Sequence, residues 1–130
     1  MPLTCTPASL AAPPAPDALT LQRVDAYSGA EALAELAQAT GTARPDLGDG
    51  GLGVLVRMGT TPAGGGWFTP GDGGDDARIG AVGIAPEHEE LGLEALVAAE
   101  LARLAFRAGA TVVELDGGAD PGRYAPAGFA

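Results

Sequence analysis

Residues 79–106 read IGAVGIAPEHEELGLEALVAAELARLAF, and this stretch decides the fold of the chain. It starts with a run of small and β-branched residues, passes through a Pro and an acidic turn with one Gly, and ends in a long apolar-periodic segment. This order predicts a strand, a tight turn and a helix whose N-terminus points beyond the end of the strand. A helix N-terminus attracts anions, because its first N–H groups are unpaired and the helix dipole is positive there. The turn, however, is filled with carboxylates.

The composition restricts the classes of partner. The 130 residues hold 17 acidic side chains and 7 basic ones, which gives a net charge of −10. Such a charge repels phosphate backbones and anionic membranes, so we expect neither nucleic acid nor a membrane as partner. No apolar run reaches the ~18 residues of a membrane span, and residues 1–16 lack the basic start of a secretory signal. Together with a single cysteine, Cys5, these features favour a cytoplasmic location.

The order of predicted elements points to a layered α/β domain. Residues 1–18 are small and rich in Pro, which predicts a flexible tail ahead of one domain over residues 19–130. Apolar periodicity in that domain predicts the order β, α, β, β, β, α, β. Such an order favours a mixed sheet with helices on its faces.

The glycine-rich stretches carry the weakest periodic pattern of apolar and polar residues. Residues 60–66 are predicted to form a hairpin-like loop before a strand around Trp67 and Phe68, a pair that we interpret as core rather than as an acceptor pocket. Gly80 and Gly83 interrupt the next strand, which predicts a bulge or a close backbone approach. Residues 116–130 contain too much Gly and Pro to predict a helix.

Four motifs together resemble the GCN5-related N-acetyltransferase (GNAT) superfamily. Residues 84–88 (IAPEH) are similar to the family's V-x-P-E-Y/H at the end of a strand, and residues 92–93 (GL) lead into the long helix. Residues 108–110 (AGA) precede the next strand, and residues 124–129 (YAPAGF) have the family's Y-x-x-x-G-F spacing. The resemblance covers about 50 residues in the family's order.

The resemblance implies a fold class. The GNAT fold, shared by acyl-CoA N-acyltransferases, is α/β (α+β), with a mixed, mostly antiparallel sheet flanked by helices. Family members continue into a last strand after the position of Phe129, where this sequence offers only Ala130. We therefore expect that the last strand is lacking, or that a partner chain supplies it in a homodimer.

The resemblance also implies a cofactor site. In the family, backbone N–H groups of the elbow before the long helix hold the pyrophosphate of acetyl-CoA, in a motif Q/R-x-x-G-x-G/A. Here Gly92 keeps the middle position, whereas Glu89 and Glu94 stand at the first and last positions. The cofactor-binding residues implied in this way are Ile84, Glu89, Glu90, Leu91, Gly92, Leu93 and Glu94.

The acidic elbow has two interpretations. At an effective dielectric of ~20, one carboxylate about 6 Å from a unit charge costs roughly 2–3 kcal/mol before salt screening, which would weaken cofactor binding strongly. Alternatively, Glu side chains in the first turn stabilise the helix dipole by about 0.3–1 kcal/mol each. The protein's own carboxylates would then fill the role that phosphate has in an active relative.

Two residues are candidates for catalysis. Tyr124 matches the family's general acid on the leaving thiolate, with a packing aromatic as the alternative. Glu114, at the end of a predicted strand, is a candidate base, with a solvated surface position as the alternative. His88, the single histidine, has no partners at metal-ligand spacing, so we predict no metal site.

Two functions remain open from the sequence. The first is transfer of an acetyl group from acetyl-CoA to a small-molecule or peptide amine, which the acidic surface predicts to be cationic. The second is a non-catalytic member of the same fold that acts as a binding or dimerisation module.

Overall fold

A six-stranded sheet forms the centre of the protein. The computed structural model describes residues 3–11, 13, 17–25, 27, 30–41, 47, 50–71, 75–85, 88, 92–115 and 121–130. The elements are β1 (Leu3–Cys5), β2 (Leu19–Val24), α1 (Ala30–Thr40), β3 (Leu52–Met58), β4 (Thr61–Pro70), β5 (Asp76–Ile84), α2 (Leu93–Arg107), β6 (Val112–Leu115) and α3 (Pro121–Tyr124).

The strands lie in the order β1-β6-β5-β4-β3-β2. Every neighbouring pair is antiparallel except β5 and β6, which are parallel. This arrangement confirms the predicted mixed, mostly antiparallel sheet. Among the described residues, no helix combines the length and the apolar character that crossing a membrane requires.

The two long helices cover opposite faces of the sheet. Val54 and Val56 belong to the core cluster that contains the apolar side of α2, whereas Leu55 belongs to the cluster that contains Leu33 and Leu36 of α1. Since successive strand residues point to opposite faces, these two clusters lie on the two sides of the sheet. The larger core is on the α2 side, because α2 buries residues on most of its circumference.

Helix α1 rests almost directly on the backbone of the sheet. Leu55, Gly65 and Gly83 are neighbours across β3, β4 and β5. A Cβ atom at Gly83 would overlap the carbonyl oxygen of Ala39, near the C-terminal end of α1. The predicted close approach at Gly83 is therefore confirmed, and it fixes the end of α1 beside the end of β5.

Strand β4 is longer than predicted. The prediction of a loop at residues 60–66 is wrong, since β4 begins at Thr61 and its three successive glycines pair with β3 and β5. Gly80 is a bulge, as predicted, because Trp67 pairs with Ala81 and Phe68 pairs with Ile79. The ring of Trp67 occupies the space that a side chain at Gly80 would need.

The prediction of a flexible tail is wrong for residues 3–11. Leu3 and Cys5 are buried, and β1 pairs antiparallel with β6 from Leu3↔Leu115 to Cys5↔Val113. On the side of β1 that faces away from β6, Thr4 exchanges two backbone hydrogen bonds of 3.0 Å with Ala130. The N-terminal strand of the chain therefore lies beside β6, on the side away from β5.

A short helix lies near the C-terminal end of the chain. Helix α3 lies in the segment whose Gly and Pro content gave no basis for predicting a helix, and a 3-10 turn, Ala125–Ala127, follows it directly. Pro at the first helical position explains this start, because its φ is already helical and its missing N–H would be unpaired there anyway. Residues 116–120 lie outside the described residues.

Candidate functional site

Strands β5 and β6 separate partway along their length. They pair over four positions, from Asp76↔Val112 to Ile79↔Leu115. Residues 80–84 of β5 pair only with β4 in the described part of the chain. The backbone groups of this half of β5 that point toward β6 therefore meet no strand among the described residues. The sheet opens at the point where β5 runs toward the turn before α2.

Helix α2 begins at the end of that opening. Gly92 precedes its first turn with φ 69°, in the left-handed region that favours glycine, and because glycine has no side chain it cannot cap the helix through one. A Cβ atom at Gly92 would meet nothing within 4 Å, so the backbone conformation, not lack of space, favours Gly there. Leu93 is buried and anchors the first turn in the core. Glu89, Glu90 and Leu91 lie outside the described residues.

Glu94 turns away from solvent. It is 8% exposed and lies in the first turn of α2, where the helix dipole favours a negative charge. Its carboxylate accepts a hydrogen bond of 3.2 Å from Nη1 of Arg123 on α3. The sequence did not indicate this partner, since 29 residues separate the two. The charge of Glu94 is thus compensated within the protein.

Tyr124 is part of the core. It is 7% exposed, and its ring packs edge-to-face against Phe129 with centroids 6.5 Å apart and an interplanar angle of 72°. Both rings belong to the cluster on the α2 side. This packing favours the interpretation of Tyr124 as a packing aromatic.

Glu114 lies on the other face of the sheet. Val113 and Leu115 point into the core on the α2 side, so Glu114 between them points away from it. Its carboxylate lies 3.7 Å from Nη2 of Arg78, which is its neighbour on β5. The structure therefore does not bring Glu114 and Tyr124 together, and their catalytic roles stay predictions.

A cavity of about 550 Å³ lies where the C-terminal end of α1 meets the ends of β4 and β5. Sequence patterns gave no signal for it, because its walls come from three separate elements and consist largely of small residues. Ile84, a predicted cofactor residue, lines both this cavity and the end of the strand opening. The described lining residues are Glu35, Gln38, Ala39, Thr40, Gly41, Thr61, Pro62, Gly64, Gly83, Ile84 and Ala85.

Glu35 is the only ionisable residue among those lining residues. Both of its carboxylate oxygens accept hydrogen bonds of 2.8 Å from Nη2 of Arg57, which does not itself line the cavity. The carboxylate is therefore held in place by a cation that approaches it from outside the cavity.

Other polar candidates form no cluster with these. The backbone N–H of His88 donates to the carbonyl of Ala85 at 2.8 Å, which places it in a turn after β5. Within the described ranges, no three His, Cys, Asp or Glu side chains are arranged to hold a metal ion. Trp67 packs against the α1-side cluster, as predicted for a core residue, and its buried indole N–H has no hydrogen-bond partner in the described part.

Three solved structures with a similar fold are named as acetyltransferases. A GCN5-related N-acetyltransferase from Kribbella flavida is 28% identical with a TM-score of 0.76, and one from Sphaerobacter thermophilus is 17% identical with a TM-score of 0.69. A GNAT-family acetyltransferase from Novosphingobium aromaticivorans is 18% identical with a TM-score of 0.63. Each match covers 99% of this chain, which spans 52%, 47% and 58% of those chains respectively.

These similarities confirm the resemblance drawn from the motifs: the chain has the GNAT fold. No protein-family model matches the sequence, and no curated protein is significantly similar to it. The chain corresponds to about half the length of the solved structures that it resembles.

Proposed function

We propose that this chain, which has the GNAT fold, binds acetyl-CoA in the opening between β5 and β6 and serves acetyl transfer to an amine. One observation carries the proposal. Strand β5 leaves β6 after Ile79, and helix α2 follows in the chain with Gly92 at its N-cap, a residue that supplies no side-chain cap. The amide groups of the extended pantetheine arm of acetyl-CoA can pair with the exposed backbone of a strand, and phosphates can accept hydrogen bonds from a helix N-terminus.

The residues present fit this ligand in part. The backbone of residues 80–84 would hold the pantetheine arm, and the N–H groups after Gly92 would hold the pyrophosphate. Glu94 opposes an incoming phosphate less than its charge suggests, because Arg123 compensates it at 3.2 Å. The side chain of Arg123 is 57% exposed, so this compensating charge lies at the protein surface.

The cavity beside Ile84 is the place that we propose for the amine. It reaches Gly83 and Ala85 at the end of β5, next to the strand opening, so an amine there would approach the acyl group from the α1 side. Acetyl-CoA supplies a thioester, whose carbonyl carbon accepts the amine nitrogen. The N–C bond forms and the C–S bond breaks, while the nitrogen loses a proton and the sulfur gains one. Holding the reactants in this geometry supplies much of the rate enhancement.

A second candidate is a domain that binds acetyl-CoA, or a partner, without catalysis. The burial of Tyr124 against Phe129 favours it, because a ring fixed in the core is poorly placed to protonate a leaving sulfur. Tyr124→Phe tests the role of this residue if the chain transfers acetyl groups. A general acid predicts a lower transfer rate with unchanged cofactor affinity, whereas a packing role predicts that both stay the same.

Calorimetric titration with acetyl-CoA at low and high salt tests the binding step. Saturable binding that strengthens with salt would fit phosphates in an acidic elbow, because salt screens the repulsion. Release of free CoA thiol in the presence of amines tests transfer. Binding without thiol release supports the second candidate, and absence of binding at millimolar acetyl-CoA overturns both roles for the cofactor.

A further inference from the structure

Residues 3–11, here called the N-terminal segment, pack against residues 121–130, the C-terminal segment, beside helix α2. We propose that Arg123 is a positioning residue for the acetyl-CoA site and that the N-terminal segment holds it in place. Arg123 acts through Glu94, because its guanidinium decides how much of the Glu94 charge an incoming phosphate meets. This inference rests on the proposed binding of acetyl-CoA and adds the part of the chain that controls its strength.

Backbone hydrogen bonds join the two segments at two places. Thr4 and Ala130 exchange bonds of 3.0 Å in both directions. Further along the N-terminal segment, the N–H group of Ala11 donates to the carbonyl of Ala127 at 3.0 Å. The N-terminal segment is thus held to the C-terminal segment near both of its ends.

The closest approach lies between these two bonded places. Gly128 has a φ of 95°, in the left-handed region that favours glycine. A Cβ atom at Gly128 would overlap the carbonyl oxygen of Ser9 and lie 3.2 Å from Cα of Leu10. Leu10 is itself packed against the core cluster on the α2 side. Because both obstacles to a Cβ atom are backbone atoms, the two segments fit directly against each other.

The C-terminal segment places Arg123 beside helix α2. Tyr124, Ala127 and Phe129 are all buried in the core cluster on the α2 side. Arg123 precedes them on α3, a helix of four residues. One helical turn has little stability of its own, so the position of α3 follows from these buried neighbours and from the segment that holds them. There, Nη1 of Arg123 donates to the carboxylate of Glu94 at 3.2 Å.

This ion pair matters for an anionic ligand because of where Glu94 lies. Its side chain is 11% exposed and belongs to the first turn of α2, the part of the proposed site that would hold the pyrophosphate. A carboxylate with so little solvent around it is weakly screened, so its charge acts strongly on a nearby phosphate unless a cation compensates it. Arg123 supplies that cation. The strength of acetyl-CoA binding therefore depends on Arg123 staying in place.

Calorimetric titration with acetyl-CoA tests the role of Arg123. Arg123→Gln should lower the affinity roughly tenfold at low salt, the effect of one uncompensated charge near a phosphate, and less at high salt, which screens that charge. Adding Glu94→Gln to Arg123→Gln should restore the affinity, because the pair is again neutral, and Arg123→Lys should keep most of it. An unchanged affinity in Arg123→Gln, or a double variant as weak as the single one, would overturn the role.

Arg103→Gln is the matched control, since it removes the same charge from an ion pair within α2. Its affinity for acetyl-CoA should stay within about twofold of the natural protein, because net charge alone acts weakly through salt solution. A loss as large as that of Arg123→Gln would mean that net charge, and not the position of Arg123, sets the affinity.

Thr4→Pro tests the N-terminal segment, since proline removes the N–H group that donates to Ala130. It should weaken acetyl-CoA binding in the natural protein but not in the double variant Glu94→Gln, Arg123→Gln, where no charge remains to be compensated. Thr4→Ala keeps the N–H group and should bind like the natural protein. Equal losses in both backgrounds would indicate general loosening, and no loss in either would mean that the segment does not hold Arg123. Both results overturn the inference.

A measurement without cofactor keeps the two proposals apart. Urea denaturation would compare Thr4→Pro and Arg123→Gln, alone and combined. The combined shift of the midpoint should be smaller than the sum of the single shifts, because either change releases the same ion pair. Additive shifts would overturn the coupling whether or not acetyl-CoA binds. Smaller combined shifts without binding at millimolar acetyl-CoA would leave the link between the segments standing and remove its role in cofactor binding.

Discussion

Gly83 shows how one residue without a side chain positions the candidate site. The C-terminal turn of α1 packs on its backbone, so that a Cβ atom would overlap the Ala39 carbonyl and lie 2.7 Å from Cα of Thr40. Because both obstacles are backbone, no side-chain rotation can relieve them. The approach brings the end of α1 to the end of β5, and the 550 Å³ cavity lies at that junction.

Gly83→Ala should therefore destabilise the protein by about 1–3 kcal/mol, the usual cost of overpacking. Urea denaturation measures the change, and the affinity of the cavity for amines should fall with it. Gly59→Ala is a suitable control, since nothing lies within 4 Å of its Cβ position and only its positive φ of 63° would cost stability. A loss at Gly83 no larger than at Gly59 would contradict the close packing.

Cys5 predicts a dependence of stability on pH. Burial raises the pKa of its thiol above the ordinary value of 9.0, and a hydrogen bond from Ser9 lowers it in part. The buried thiol stays neutral in the folded state at pH values where the thiol of the unfolded chain already loses its proton. The free energy of unfolding therefore keeps its full value below pH 9, as far as Cys5 is concerned, and falls as the pH rises toward the folded pKa. Stability should therefore fall more steeply above pH 9 in the natural protein than in Cys5→Ala. Denaturation curves at several pH values test this, and equal slopes would contradict it.

Helices α2 and α3 are joined by the ion pair of Glu94 and Arg123. Removal of the guanidinium would leave a carboxylate that is 8% exposed without this partner. We expect Arg123→Gln to cost about 1–3 kcal/mol, because a buried acceptor loses a charged donor. Thermal or urea denaturation measures this cost.

The control for that substitution is Arg103→Gln, which removes a similar charge from the pair with Glu100 within α2. The side chain of Glu100 is 19% exposed against 11% for Glu94, and the pair joins no second element, so its loss should cost less than about 1 kcal/mol. Equal costs for Arg103→Gln and Arg123→Gln would mean that the contact between α2 and α3 adds nothing specific.

The elements differ in how far the sequence could predict them. Helix α2 was predictable because its leucines repeat at helical spacing and Gly109 follows its end. Strand β4 was predictable only around Trp67, because its three glycines have no side chains and hence no alternation of apolar and polar residues. Its extent is set by pairing with β3 and β5. The partner of Glu94 was likewise hidden, since tertiary packing alone brings α3 to α2.

Strand β1 pairs with distant parts of the chain, and local sequence patterns do not reveal such pairing. Its three residues pair with β6 and with Ala130, which lie more than 100 positions away in the sequence. A short segment between prolines gives no periodic signal, so its strand conformation follows from its partners. β1 and β2, although consecutive in the chain, form the two opposite edges of the sheet.

Thr4→Pro tests whether β1 supports the rest of the molecule. Proline removes the N–H group that donates to Ala130 at 3.0 Å, and we expect a loss of about 1–3 kcal/mol. The loosened C-terminal segment should expose Tyr124 and Phe129, which intrinsic fluorescence and amide exchange would detect. Thr4→Ala keeps the N–H group and should have a much smaller effect. Unchanged stability in Thr4→Pro would mean that β1 is dispensable.

We propose that acetyl-CoA binds at the opening between β5 and β6, and amide NMR during a titration with acetyl-CoA tests that proposal most directly. We expect the largest shift changes at residues 80–84 and in the first turn of α2 after Gly92. Residues of β2, at the far edge of the sheet, should stay unchanged. Saturating shifts confined to β2 and β3, or no shifts at millimolar acetyl-CoA in a folded protein, would contradict the proposed site.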